Sequence, residues 1–226
     1  IVRRAVLQVK TADGATREHA IHRAVPRAEG AAVGLRMTED RDVVDGGDLP
    51  AGSYDTPQQA VASAQALVAA GADSVKLEGP CIAEVEAIVA AGIAVMGHVG
   101  LQPQTATVYR REGKTPDEAD RIAREALQLE AAGCYAVVIE AVPAELATRI
   151  TASLSVPTIG IAAGVETDGQ VLVSTDLVGQ LPFTPPFVTP KANVFEIVTR
   201  AAREFVEDVQ RDATVAAFPD DWPTLA

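Results

Sequence analysis

The stretch AAGADSVKLEG at residues 69–79 carries the pattern that decides the fold. An alanine-rich helix ends at a glycine, which favours the backbone conformation just past a helix, and a short apolar strand follows. The pattern returns as AAGIAVMG at residues 90–97 and as AAGCYAVVIE at residues 131–140. Three helix-to-strand connections of the same kind predict a chain in which helices and strands alternate.

The starts of two helices are also visible. Thr56 and Pro57 combine a capping threonine with a proline at the first helical position. Residues 115–118, Thr-Pro-Asp-Glu, have the spacing of a capping box. Later elements are predicted as a helix, two strands and an amphipathic helix, at residues 144–154, 157–162, 169–173 and about 193–211.

The alternation predicts the α/β class and an architecture within it. No hairpin signal separates the strands, so they should be parallel. A (β/α)8 TIM-type barrel fits best, either complete or lacking its first βα portion in this chain. A doubly wound open sheet ranks second, and no GxGxxG motif follows a strand to support it.

We expect residues 1–226 to form a single barrel domain. Within it, residues 1–47 are an atypical N-terminal part, with a helix predicted from Thr16 to about Val25. Residues 193–226 are predicted as a C-terminal helix and tail.

The amino-acid composition limits the kinds of molecule that the protein could bind and the compartment in which it works. The 226 residues carry 31 acidic and 19 basic side chains, a formal net charge of −12, which opposes binding to nucleic acid and to anionic membranes. No apolar run is long enough to span a bilayer. The two cysteines, Cys81 and Cys134, do not make a disulfide framework, so we expect a reducing compartment, the cytoplasm.

Polar side chains follow the apolar runs at the points where the predicted strands end. They are Asp48, Lys76, Glu78, His98 and Glu140. Functional side chains in parallel α/β folds lie at the carboxyl ends of strands. Because consecutive strand ends supply these groups, we expect them to share one site.

The chemistry of this set is constrained. Two carboxylates, Asp48 and Glu78, without a cluster of histidine or cysteine, suit a hard cation such as Mg²⁺. A 2-oxo acid offers such a cation its ketone and carboxylate oxygens, and polarisation of the ketone acidifies the adjacent carbon. Glu140 is then the candidate base, Lys76 would neutralise the anionic substrate, and the site would form a metal enolate.

Other interpretations of the same residues stay open. Lys76 and Glu78 share a strand face and could form a plain surface salt bridge. His98, between glycines, could orient a loop by hydrogen bonding or contact the substrate. Asp45 offers an alternative carboxylate to Asp48.

The sequence resembles a known family, the ketopantoate hydroxymethyltransferases, which are (β/α) barrels of the phosphoenolpyruvate/pyruvate superfamily. The resemblance is strong over about residues 48–190. It rests on seven stretches in order: DLPAGSY (48–54), VKLEG (75–79), VMGHVGLQPQ (95–104), GKT (113–115), AVVIEAVPAELATRIT (136–151), PTIGIAAG (157–164) and DGQVLV (168–173).

The resemblance implies transfer of a hydroxymethyl group from 5,10-methylenetetrahydrofolate to 3-methyl-2-oxobutanoate, giving 2-dehydropantoate for pantothenate biosynthesis. It implies Asp48 and Glu78 as Mg²⁺ ligands, Asp48, Lys76 and His98 as substrate-binding residues, and Glu140 as the proton acceptor. It also implies a large homo-oligomer.

Three departures from the family pattern bear on these roles. The stretch VVDGGD (43–48) replaces an apolar strand run that ends in Asp. The family has an earlier Gly-Asp-Ser at a strand end, which supplies a further metal ligand and a substrate-binding serine. This motif is absent from the sequence, and we expect it to precede Ile1. The family's GIGAG is here GIAAG, with Ala162 in place of a glycine.

Three rival functions remain. One is a folate-independent lyase or aldolase that acts on another 2-oxo acid. Another is a Schiff-base aldolase through Lys76, which Glu78 opposes because it stabilises the ammonium form. The last is a catalytically silent homologue that acts as an assembly subunit.

Overall fold

The computed structural model describes residues 46–211 and, nearer the N-terminus, the backbone of two strands. The strands are β1 (Ala5–Lys10), β2 (Thr16–Glu18), β3 (Gly46–Asp48), β4 (Ser74–Lys76), β5 (Ala94–Gly100), β6 (Ala136–Glu140), β7 (Thr158–Ile161) and β8 (Gly169–Val173). The helices are α1 (Pro57–Ala69), α2 (Ile82–Ala90), α3 (Pro116–Ala131), α4 (Ala144–Ser153), α5 (Ser174–Leu177) and α6 (Val194–Gln210).

The strands form one sheet in the order β2-β1-β8-β7-β6-β5-β4-β3. The strands from β3 to β8 are parallel and adjacent in chain order, whereas β1 runs antiparallel to β8 and to β2. A barrel has this sequential order, while a doubly wound sheet reverses it at a switch point. The predicted α/β barrel class is confirmed, and the six parallel strands make up a partial barrel.

Both predicted helix starts are confirmed. The Thr56 side chain accepts a hydrogen bond from the Gln59 N–H, and Pro57 is the first residue of α1. At α3, the Thr115 side chain accepts from the Glu118 N–H, and the Glu118 carboxylate accepts from the Thr115 N–H. Both helices therefore begin where their capping residues stand.

Strand β6 shows how the apolar runs pack. Val137 and Ile139 point toward the helices and join the main core, whereas Ala136 and Val138 point to the opposite face and pack with Ile159. A strand that is buried on both faces needs apolar residues at every buried position, and the first four residues of β6, AVVI at 136–139, have this pattern. The opposite face is the one that a closed barrel would enclose.

Two predictions for the N-terminal part have different outcomes. The helix predicted from Thr16 is wrong at its start, because residues 16–18 form β2 and pair with β1. A strand that finds a hydrogen-bonding partner overrides a local helical pattern. Asp45 lies outside the described residues, so its possible role stays a prediction.

By their contacts, the residues group into two compact units, Ile1–Ser174 and Thr175–Ala226. In the second unit, the Asn193 side chain caps α6 by accepting a hydrogen bond from the Glu196 N–H. The prediction of one barrel domain over the whole chain stays a prediction. Within the described residues, no helix has both the length and the apolar character needed to cross a membrane.

Candidate active site

Strand register places the first two site residues side by side. Asp48 on β3 pairs with Lys76 on β4, and Lys76 pairs with Met96 on β5. Met96 packs on the face that carries Ala136 and Val138. Register partners in a parallel sheet share a face, so Asp48 and Lys76 also lie on that face.

The Lys76 ammonium and the Asp48 carboxylate form an ion pair, with 2.9 Å between Nζ and Oδ1. The Lys76 side chain is 17% exposed and that of Asp48 is 37% exposed. In the described part of the chain, Lys76 makes this pair in place of the salt bridge to Glu78 that the sequence allowed. The lysine is thus partly enclosed and held at the strand end by one carboxylate.

Glu78 follows β4 and is almost wholly buried. Its Oε2 accepts a hydrogen bond of 3.0 Å from the backbone N–H of Gln104. The next residue, Gly79, donates its N–H to the His98 carbonyl and has a φ of +91°, which a side chain would strain. The chain therefore turns away directly after Glu78 and leaves its carboxylate at the edge of the sheet.

Tyr54, which is not among the site residues predicted from the sequence, lies near both predicted metal ligands. Its pKa is raised to about 12, first by burial and further by the charges of Cys81, Glu78 and Asp48, against a lowering by a backbone hydrogen bond from Glu78. The phenol therefore stays neutral near pH 7. The one signal in the sequence was an aromatic residue that closes DLPAGSY in a chain with only 4% aromatic residues.

His98 is enclosed and neutral. Its Nε2 lies 2.7 Å from the Leu101 carbonyl oxygen, which can only accept, so Nε2 carries the proton. The pKa of His98 is lowered to about 3, first by burial and then by the Lys76 charge, against a raising by the Leu101 hydrogen bond. Nδ1 is buried without a hydrogen-bond partner among the described residues.

Glu140 lies beside His98 at the end of β6. The distance from His98 Nε2 to Glu140 Oε2 is 3.6 Å, and the Glu140 side chain is 17% exposed. Because the imidazole is neutral, this approach is a polar contact and not an ion pair. His98 thus braces the start of the loop after β5 next to Glu140, and its contact with a substrate stays a prediction.

The loop between β5 and α3 is attached to the end of β6 at two points. The Leu101 N–H donates to the Glu140 carbonyl at 2.9 Å, and the Glu112 N–H donates to the Ala141 carbonyl at 2.9 Å. These bonds hold the loop against the backbone of Glu140 and Ala141, which sets the position of the Glu140 side chain. Glu140 is therefore a partly enclosed carboxylate on a supported strand end.

The structure brings the five predicted residues to one edge of the sheet. The ion pair joins Asp48 to Lys76, the Lys76 charge acts on His98, and His98 contacts Glu140. Glu78 joins this group because the next residue, Gly79, donates its N–H to the His98 carbonyl.

The donor atoms suit a hard cation. Asp48 and Glu78 offer carboxylate oxygens, and the described residues contain no group of three or more His, Cys, Asp or Glu side chains that could hold a metal ion. Mg²⁺ commonly takes one or two carboxylates and fills its other positions with water and substrate oxygens, so the pair fits Mg²⁺. The pair does not provide the nitrogen and sulfur ligands that are typical of Zn²⁺.

Ala162, where the family pattern has a glycine, adopts a left-handed backbone conformation with a φ of +52° just after β7. This conformation costs a residue with a Cβ about 1–2 kcal/mol. The conformation explains why a glycine suits the position, and Ala162 adopts it with strain.

Known proteins resemble the chain over most of its length. The family model described as ketopantoate hydroxymethyltransferase matches residues 30–221. Proteins named 3-methyl-2-oxobutanoate hydroxymethyltransferase are 50% identical over 171 residues in Acaryochloris marina, 47% over 186 residues in Thermobifida fusca and 48% over 182 residues in Salinibacter ruber. These matches cover 72%, 79% and 77% of this chain, and 66%, 65% and 67% of the relatives. The chain therefore spans about two thirds of the length of these curated relatives.

Proposed function

The chain belongs to the ketopantoate hydroxymethyltransferase family, and on that premise we propose that it is a hydroxymethyltransferase of pantothenate biosynthesis. It would move a hydroxymethyl group from 5,10-methylenetetrahydrofolate to 3-methyl-2-oxobutanoate and release 2-dehydropantoate. One observation carries the assignment of the site. A partly enclosed carboxylate, Glu140, stands at the same sheet edge as a lysine–aspartate pair.

Each side chain has a task in this reaction. Lys76 would bind the carboxylate of the keto acid, because its ammonium is partly enclosed and its pair with Asp48 holds it at the strand end. Glu140 would accept the proton from C3, the carbon that receives the one-carbon unit. His98 would keep the neighbouring loop in place through its bond to Leu101 and present no positive charge to Glu140.

Asp48 and Glu78 would hold Mg²⁺ as carboxylate ligands. The ion, when bound, would polarise the ketone of the keto acid and so acidify C3. Glu78 enters this role already oriented by the Gln104 N–H. Asp48 would exchange part of its interaction with Lys76 for the metal, which leaves the ammonium available to the anionic substrate.

The wider setting of the protein is also part of the proposal. We expect a homo-oligomer, as the family resemblance implies, and light scattering at micromolar concentration that shows a monomer would contradict it. We place the protein in the cytoplasm, where free thiols such as Cys81 and Cys134 persist.

The decisive experiment follows ¹³C-labelled 3-methyl-2-oxobutanoate by NMR with Mg²⁺, in the presence and absence of 5,10-methylenetetrahydrofolate. A new hydroxymethyl signal that requires folate would support the proposal. Exchange of the C3 proton for solvent deuterium without any folate-dependent product would favour a folate-independent enzyme. Absence of both would favour a silent assembly subunit, and both of these results would overturn the proposed transfer.

Two further measurements test parts of the mechanism. Full activity in excess chelator would show that the reaction needs no metal ion. Borohydride reduction in the presence of the keto acid would trap a covalent adduct on Lys76 if the protein were a Schiff-base aldolase, and we expect no adduct.

A further inference from the structure

Gln104, in the loop after β5, joins two other strand ends through its side chain and its backbone. Its Nε2 donates to the Leu49 carbonyl at 3.1 Å, and its Oε1 accepts from the Ala51 N–H at 2.7 Å. The two ends of one carboxamide thus hold the segment that begins directly after Asp48. This contact bridges more than fifty positions in sequence.

The backbone of the same residue acts on the second carboxylate. The Gln104 N–H donates to Glu78 Oε2 at 3.0 Å, and Glu78 is buried. A hydrogen bond from an N–H to a carboxylate is charge-assisted and directional, so it determines which way the second oxygen, Oε1, points. The N–H can serve in this way only if the loop that carries it is itself held in place.

We propose that Gln104 is a positioning residue that orients the Asp48 and Glu78 carboxylates toward each other before a ligand arrives. Its side chain ties the loop after β5 to the segment after Asp48, and its N–H then fixes Glu78. The inference rests on the proposed function only where the ligand is a divalent cation. The bracing of the two strand ends is independent of that ligand.

The chain offers a matched control in Gln59 on α1. Its Nε2 donates to the Gly52 carbonyl at 2.7 Å, and its Oε1 accepts from the Asp55 N–H at 3.1 Å. Gln59 therefore braces the same loop with the same two groups. Within the described residues, it makes no hydrogen bond to Glu78.

The test compares Gln104→Met with Gln59→Met. Methionine keeps the length of the side chain and removes both polar contacts, so volume is not the variable. The probe is Mn²⁺ in place of Mg²⁺, titrated against the free-ion EPR signal. We expect Gln104→Met to weaken Mn²⁺ binding by about tenfold or more, as the loss of groups that orient metal ligands commonly does. Gln59→Met should leave the affinity within about twofold.

Amide hydrogen exchange supplies a readout that needs no metal. In Gln104→Met we expect faster exchange at the Ala51 amide, which has lost its acceptor, and also at the amide of residue 104, whose acceptor Glu78 is unchanged. Gln59→Met should leave the amide of residue 104 protected. Wild-type exchange at residue 104 in Gln104→Met would overturn the inference, as would equal Mn²⁺ affinity in both variants.

The metal site and the positioning role of Gln104 are tested separately. A wild-type protein that binds no Mn²⁺ would contradict the proposed metal site, whereas the exchange rate at residue 104 would still decide whether Gln104 holds Glu78.

Discussion

Lys76 Nζ lies 2.9 Å from Asp48 Oδ1, and the two residues are register partners on neighbouring parallel strands. Register alone brings the residues together, since parallel strands place partner side chains on one face. The arrangement keeps a cation and an anion adjacent at the edge where a charged substrate and a metal ion would compete for them.

Replacing Lys76 by methionine should weaken binding of 3-methyl-2-oxobutanoate by about tenfold or more, because a bond between charged groups is lost. Affinity for Mn²⁺ should not fall, since Asp48 no longer shares its charge with an ammonium. Isothermal titration with each ligand measures both effects. Lys191→Met, at an exposed position in the second compact unit, is the control. Unchanged keto-acid affinity in Lys76→Met would remove this residue from the binding site.

Replacing Glu140 by glutamine should abolish exchange of the C3 proton of 3-methyl-2-oxobutanoate with solvent deuterium, because the amide cannot accept that proton. Binding of the keto acid and of Mn²⁺ should persist, since the side chain keeps its shape. Proton NMR follows the exchange without folate. Glu145→Gln, an exposed acid in the first turn of α4, should exchange at the wild-type rate. If Glu140→Gln also exchanges normally, Glu140 is not the base and another group takes the proton.

His98 should make the protein less stable in acid. Its folded pKa of about 3 lies below the unfolded value of 6.5, chiefly because burial disfavours the imidazolium. The unfolded state therefore binds more protons between these values, and stability falls as the pH drops through this window. Because of His98, the free energy of unfolding at about pH 5 should be about 2 kcal/mol lower than at neutral pH.

Urea unfolding of wild type and His98→Gln at about pH 5 and about pH 7.5 measures this contribution. The variant should be less stable at neutral pH but should lose less stability on acidification than the wild type. Identical slopes with pH in the two proteins would mean that His98 titrates normally when folded.

Gly100 should tolerate a side chain worse than Gly92 does. Both have a positive φ, +90° and +79°, so each alanine variant carries about 1–2 kcal/mol of backbone strain. A Cβ on Gly100 would clash with the Glu140 carbonyl oxygen, whereas one on Gly92 would meet nothing within 4 Å. Urea unfolding should show that Gly100→Ala is the more destabilised of the two. Gly100→Ala should also slow C3 exchange, because the clash displaces the backbone of Glu140. Equal losses of stability would contradict the clash.

The sequence by itself determined the order of the helices and strands and the edge of the sheet at which the site lies. The structure confirms three kinds of local signal: the Ala-Ala-Gly segments between a helix and the next strand, the caps at Thr56 and Thr115, and the polar residues at or near the carboxyl ends of β3 to β6. Parallel strands in chain order then bring Asp48, Lys76, His98 and Glu140 to one edge without further information. The helix predicted from Thr16 was wrong because strand pairing between β1 and β2 is a non-local interaction that no local pattern records.

The tertiary structure alone decided how the site residues contact one another. Whether Lys76 pairs with Asp48 or Glu78 depends on how the chain turns after β4. The neutral state of His98 comes from burial and from the carbonyl that its ring meets. Gln104 reaches both Glu78 and the segment after Asp48 only because the loop after β5 folds back across neighbouring strand ends. Loop paths and desolvation depend on contacts between residues far apart in the chain, which helical and strand periodicity do not encode.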